Sequence, residues 1–119
     1  MIIERGEDVE NRLKTVEKFW ETGELKKESN VQFGEGGAGT FSDGKLNTLV
    51  KDTKGRNQEV LKIFVKFGAP EEILYQQKPH LGTDMLIGIV KNMRNYIKNA
   101  GGEFCFSSKM TDIQIENGK

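Results

Sequence analysis

The chain has little of the chemistry that disulfides and metal sites require. Its 119 residues include one cysteine, Cys105, and one histidine, His80. A single cysteine excludes an intrachain disulfide, and a zinc site of cysteine and histidine ligands would lack donors. We therefore predict no metal site and a reducing, cytoplasmic compartment. Because Cys105 lies between two phenylalanines in a strand-like run, we expect it to pack rather than to act as a nucleophile.

An excess of one charge and a long apolar segment are also missing. Lys plus Arg and Asp plus Glu both number 18, so the formal net charge is zero. This balance argues against nucleic-acid and membrane partners, which need a basic surface. Lys91, Arg94 and Lys98 recur at helical spacing, and a solvated helix face is the expected interpretation. No apolar run has the length of a signal peptide or a membrane span, so we expect a soluble protein.

Apolar residues are few, at 35% of the chain, so a core must come from a few well-patterned segments. Helical periodicity predicts three helices, one of which has Asp8 as its N-cap and Gly23 at its end. The expected apolar stripe of this first helix is Val9, Leu13, Val16, Phe19 and Trp20. The second helix is predicted from Asn57 to Gly68. The third is predicted to have Thr83 or Asp84 as its N-cap, with Leu86, Ile89, Val90, Met93, Ile97 and Ala100 on its inner face.

Short β segments are predicted at both ends of the chain. They are Met1 to Ile3, Phe104 to Ser107, and the alternating residues around Ile113 and Ile115. Asn117-Gly118 is a hairpin-turn signal with no strand after it, and the N-terminal strand has no evident partner. We therefore expect an internal fragment of a longer protein. The predicted fold class is α+β, with amphipathic helices and a few short strands.

Five glycines between Gly34 and Gly44 create two overlapping phosphate-loop patterns. Gly34, Gly36 and Gly39 fit G-x-G-x-x-G, and Gly39, Gly44 and Lys45 fit G-x-x-x-x-G-K. The second pattern has Leu46 where a P-loop needs Ser or Thr to bind magnesium, which argues against a nucleotide hydrolase. The first pattern lacks both a convincing strand before it and a helix start after it. From composition alone, a flexible surface loop and a binding loop remain equally open.

The start of the chain adds a weak signal for dinucleotide binding. Ile2 and Ile3 are followed at once by Glu4. In dinucleotide-binding folds, an acidic residue at the end of the second strand binds the adenosine ribose. The order of this acid relative to the glycine loop is more informative than the acid itself.

The combination "IIERG", "SNVQFGEGGAGTFSDGKL", "FGAPEEILYQQKPHLGTD" and "GGEFCFSSKMTDI" resembles a family of bacterial FAD-dependent dehydrogenases. This family belongs to the flavoproteins with two dinucleotide-binding domains, and the resemblance covers essentially the whole chain. It implies a piece of a larger α/β FAD-binding fold. Residues 1–50 would supply the second strand, a helix and the glycine-rich loop, and residues 51–119 the helices and C-terminal β segments. The family's first strand and G-x-G-x-x-G turn would precede Met1.

The resemblance also implies which residues contact the cofactor. Glu4 would bind the adenosine ribose, Arg5 would lie near the adenosine diphosphate, and the backbone of Met110 and Thr111 would border the adenine. The loop residues on the flavin side would be Gly36, Gly37, Ala38, Gly39, Thr40, Asp43 and Gly44. Candidates for the substrate side are Asp43, Lys45 and His80, followed by Gly82 and Asp84. For the first three, a turn, a solvated charge and a loop residue are the favoured interpretations.

Flavin, rather than side chains, would carry the hydride chemistry, with NAD(P) as a possible electron partner and an unidentified small molecule as substrate. Because the pyrophosphate turn is missing, we expect the chain alone to bind FAD weakly or not at all, and to be catalytically inactive. The alternative function is a non-catalytic helical module that forms homo-oligomers through exposed strand edges.

Overall fold

The computed structural model describes residues 1–46 and 51–115, and these form a small α+β fold. This confirms the predicted fold class. Three helices carry most of the regular structure: α1 (Val9–Thr22), α2 (Arg56–Lys66) and α3 (Thr83–Asn99). Two short 3-10 turns, Ala38–Phe41 and Glu71–Leu74, lie in the connections. The signal at Asn117-Gly118 lies outside the described residues.

Two strands of two residues each, β1 (Ile2–Ile3) and β2 (Phe104–Cys105), form a parallel sheet. Ile2 pairs with Phe104, and Ile3 with Cys105. The N-terminal strand therefore has a partner, contrary to the prediction, because the partner lies about a hundred residues further along the chain. The predicted β segment at Ile113 and Ile115 is also wrong: both residues are exposed and neither belongs to a strand.

Local signals place the ends of α1 as predicted. The Asp8 carboxylate accepts a hydrogen bond from the backbone N–H of Asn11 at 3.1 Å, and Gly23 ends the helix in the left-handed conformation. Val9 and Val16 are fully buried on the predicted stripe. Trp20 does not extend this stripe, since 61% of it is exposed.

The hydrophobic core lies between α2, α3 and the Glu71–Leu74 turn. Its buried members are Ala69, Ile73, Leu81, Leu86 and Ile89. The helix α3 begins at Thr83 with Gly82 in the N-cap position, one residue earlier than predicted, and no side chain caps it. Ala100, predicted on the inner face, is exposed at the end of the helix. No helix in the described ranges is long and apolar enough to cross a membrane.

Candidate functional site

Three segments that are far apart in sequence meet at the carboxyl ends of the two parallel strands. The segment after β1 accepts hydrogen bonds from the segment after β2: Ser108 N–H donates to Glu4 O at 2.9 Å, and Ser107 N–H to Gly6 O at 2.7 Å. The glycine loop joins them where Gly6 packs on Gly34, so closely that a Cβ at Gly6 would collide with the Gly34 backbone. The strand ends and the loop thus form one structural unit.

These segments border an open cavity of about 360 Å³, which we call the strand-end cavity. Its size falls within the range of small-molecule sites. The lining residues come from all three segments: Ile3, Glu4, Arg5, Gln32, Phe33, Gly34, Gly37, Ser108, Lys109 and Met110. In parallel α/β sheets, ligands bind outside the carboxyl ends of the strands, which is where this cavity lies.

The polar groups of the cavity carry both signs of charge. Glu4 is half-buried, and one carboxylate oxygen accepts the backbone N–H of Gly6 at 2.8 Å. The guanidinium of Arg5 lies 4.1 Å from the ring centroid of Phe33, a cation–π contact. Arg5 also forms an ion pair with Glu28, whose other oxygen lies 3.8 Å from Lys109. The cavity therefore offers a carboxylate, two cations and an aromatic face.

Arg12 holds the glycine loop from inside the protein. Although it is an arginine on the apolar stripe of α1, it is fully buried. Its guanidinium donates to four loop carbonyls. These are Asn30 at 2.8 Å, Gly34 at 3.2 Å, Glu35 at 2.7 Å and Gly37 at 2.9 Å. Burial lowers the pKa of this guanidinium, and the charge of Glu4 opposes that effect.

Glu35 connects the same loop to α1 and α3. Its carboxylate accepts the backbone N–H of Val9 at 2.8 Å and is paired with Arg94 at 2.7 Å. Arg94 also pairs with Glu10 at 2.8 Å, and its side chain is only 11% exposed. The expectation of a solvated face is therefore wrong for Arg94. Burial raises the pKa of Glu35, although the Val9 amide and the charge of Arg94 oppose this shift.

Most of the predicted loop residues face a second, smaller depression against α2 and α3. Gly36, Gly39, Thr40 and Gly44 line it together with Phe64, Leu86 and Val90. Its volume is about 160 Å³, below the range of ordinary ligand sites. Gly37 lines the strand-end cavity instead. The loop therefore separates two surfaces.

Asp43, Lys45 and His80 come together at an isolated antiparallel bridge between Lys45 and His80. Lys45 lies 2.8 Å from the carboxylate of Asp43, and the hydrogen bond it donates lowers the pKa of Asp43. Both side chains are about two-thirds exposed, so solvent weakens this pair. Gly44 needs its left-handed conformation (φ 73°), and a Cβ there would collide with the carbonyl of Leu81.

The remaining predicted residues lie apart from both depressions. Ala38 belongs to the 3-10 turn, and Thr111 is exposed beyond the cavity residue Met110. Asp84 is exposed in the first turn of α3. Within residues 1–46 and 51–115, no group of three or more His, Cys, Asp or Glu residues is arranged to hold a metal.

Sequence reasoning missed Arg12, Phe33, Glu35, Arg94 and Lys109. Arg12 had a usable signal, because it stands three residues after Val9 and four before Val16 and so shares their face. Glu35 had a weaker one, as a charged residue directly between two glycines, Gly34 and Gly36. Nothing local distinguishes Phe33, Arg94 or Lys109, whose roles depend on distant partners.

No family model matches the chain. It is similar to a protein of Clostridium beijerinckii described as an uncharacterized protein, with 57% identity over all 119 residues. The chain spans about 22% of the length of that relative.

Proposed function

We propose that the strand-end cavity binds the adenosine portion of FAD, and that the chain is part of an FAD-dependent dehydrogenase. One observation supports this most. Glu4, Arg5, Gly37 and Met110, which the family resemblance implicates from three separate segments, line a single cavity at the carboxyl ends of two parallel strands. If the resemblance were fortuitous, there would be no reason for these residues from three separate segments to line the same cavity.

The chemistry of the cavity fits this ligand. A carboxylate at the end of the first strand suits a ribose hydroxyl, and Arg5 with Lys109 suits the charge of a diphosphate. The aromatic face of Phe33, now covered by Arg5, offers a stacking surface. A role of Gly36, Gly39, Thr40 and Gly44 on the flavin side remains part of the proposal. The same holds for Asp43, Lys45 and His80 toward the substrate, with NAD(P) as electron partner in the cytoplasm.

The chain alone should bind weakly, so the test must detect weak binding. We would titrate the ¹⁵N-labelled protein with ADP, FAD and FMN, and follow the amide shifts of Glu4, Arg5, Gly37 and Met110. ADP and FAD are expected to move these signals, whereas FMN, which lacks adenosine, should not. Glu4→Gln should weaken the response, and Glu21→Gln, on the exposed face of α1, should leave it unchanged.

The Clostridium beijerinckii relative provides an independent measurement. We expect the purified protein to show flavin absorbance and to release FAD on denaturation. Absence of flavin from the relative, together with equal responses to ADP and FMN in the chain, would contradict the proposal.

A second candidate function is self-association through the sheet. Ile2 and Ile3 are 42% and 47% exposed in a sheet of only two strands, and open edges of this kind favour strand pairing. This function predicts that the mass measured by light scattering rises from that of a monomer to that of a dimer as the protein concentration increases. The Ile3→Lys variant should stay monomeric, whereas the control Val60→Lys should still dimerise. A constant monomer mass would exclude it.

A further inference from the structure

The side chain of Arg12 is the main cross-link between α1 and the glycine loop. One guanidinium nitrogen, Nη1, donates to the carbonyls of Gly34, Glu35 and Gly37, and Nε donates to Asn30. The guanidinium also lies 4.7 Å from the ring centroid of Phe41, at the end of the same loop. A single planar group thereby fixes the loop at both ends and in its middle.

Burying the Arg12 guanidinium costs free energy, and the packing of the protein interior does not require a charged side chain at this position. Arg12 is fully buried, and among the described residues its other terminal nitrogen, Nη2, has no hydrogen-bond partner. An unsatisfied buried donor is destabilising, and well-packed apolar residues often replace buried charges without loss. The specific effect of Arg12 is therefore on the geometry of the loop carbonyls that it gathers.

Two of these carbonyls belong to residues of the strand-end cavity, Gly34 and Gly37. Both have positive φ, at 123° and 66°, a region that glycine visits freely but does not hold by itself. We propose that Arg12 is a positioning residue that holds Gly34 and Gly37 in the conformation that the ligand of the cavity requires. The proposal rests on the function proposed above, in which the ligand contains an adenosine diphosphate.

The experiment compares Arg12→Met, Arg12→Lys and the exposed control Arg56→Met. In the ligand-free protein, hydrogen exchange is measured at the backbone amides of Glu35, Gly37 and Thr40. The amides of Gly37 and Thr40 donate hydrogen bonds to carbonyls of the loop itself, and the amide of Glu35 donates to the carbonyl of Glu7. ADP affinity is measured by the amide shift of Glu4. Arg12→Met should accelerate loop exchange at least about tenfold and weaken ADP binding by a similar factor, while α3 keeps its protection.

Arg12→Lys keeps the charge but not the planar fork, so it should give intermediate values, and it replaces Arg12→Met if that variant does not fold. Equal exchange and affinity in all variants would overturn the proposal. Uniform acceleration that includes α3 would also overturn it, because Arg12 would then act on global stability. If the unaltered protein gives no response to ADP and the relative releases no flavin, the function proposed above fails, and loop exchange alone decides whether Arg12 positions the loop.

Discussion

At the scale of single residues, the glycine loop is limited by space as much as by backbone conformation. Gly34 and Gly37 both have positive φ, but only Gly34 is crowded: a Cβ there would collide with Cδ of Arg12, whereas a Cβ at Gly37 would meet nothing within 4 Å. The buried Arg12 cannot move aside without losing its bonds to the loop. Gly34 and Gly37 therefore allow a comparison, within one loop, of a crowded glycine and an uncrowded glycine that both have positive φ.

We expect Gly34→Ala to lower the free energy of unfolding by about 2–3 kcal/mol, through strain and collision together. Gly37→Ala should cost less, about 1–2 kcal/mol from backbone strain alone, because its φ of 66° and ψ of −170° lie in a region that essentially only glycine occupies. Urea unfolding followed by circular dichroism would measure both values. Equal losses would mean that Arg12 yields easily and that the loop is not tightly packed against it.

The carboxyl groups around the loop predict how stability depends on pH. Partial burial would raise the pKa of Glu7, Asp8 and Glu10. Hydrogen bonds outweigh this effect of burial and lower all three pKa values. Glu7 accepts them from Lys26 and Thr15, and Asp8 and Glu10 have hydrogen-bond donors of their own. A lowered pKa contributes stability above the ordinary value, so this contribution is lost as the pH falls below about 4.5.

Glu35 has the opposite sign, since burial raises its pKa in the folded state. Its contribution is largest below the ordinary value and declines as the pH rises through the raised pKa, so it partly offsets the other three groups on acidification. Glu35→Gln should remove this offset and make the acid-side loss of stability steeper than in the unaltered protein. Melting temperatures from pH 7 to pH 3 would test this, and a shallower acid-side loss in the variant would contradict it.

At the scale of the elements, α1 depends on a side-chain cap that α3 lacks. The Asp8 carboxylate bonds to the first turn of α1, whereas Asp84 lies in the first turn of α3 without such a bond. Asp8→Ala should therefore cost about 1 kcal/mol, and Asp84→Ala less than about 0.5 kcal/mol. Thermal unfolding followed by circular dichroism would compare the two, and equal effects would rule out a specific role of the cap.

The helices could be predicted because their signals are local. Asp8, Gly23 and the spacing of Val9 and Val16 all act within a few turns of one another, so the short sequence window contains the determining interactions. The strand pairing of Ile3 with Cys105 could not be predicted in this way, because four residues at opposite ends of the chain carry too little pattern. Trp20 was wrongly predicted to be buried, because the buried face of α1 is narrower than the apolar composition of the helix suggests.

The candidate site was predictable only in part, for the same reason. Glu4, Gly37 and Met110 converge in the strand-end cavity, and the family resemblance, rather than their spacing, implicated them. Arg12 and Arg94 act through bonds to residues more than 15 positions away, and a charged residue on a helix normally predicts exposure. Charged residues on an apolar stripe, such as Arg12, are the signal that deserves more weight.

At the scale of the whole molecule, the chain is less compact than its length would allow. Its radius of gyration is 16.4 Å, against about 13.5 Å expected for a compact domain of this size. Among the described residues only seven apolar side chains are buried, and the two-stranded sheet leaves Ile2 and Ile3 partly exposed. We therefore expect a free energy of unfolding near or below about 5 kcal/mol, the lower end of the range for native domains.

Such a small margin makes the core sensitive to single cavities. Ile89 is 2% exposed at the centre of the core, whereas Val60 is 48% exposed on α2. Removing the Ile89 side chain should cost about 2–5 kcal/mol, so Ile89→Ala should leave much of the protein unfolded at 25 °C, while Val60→Ala stays folded. Urea unfolding of the unaltered protein and both variants would measure this. A fully folded Ile89→Ala protein with a cooperative transition at high urea would mean that the chain has a larger stability reserve, and that its expanded shape is compatible with an independently stable domain.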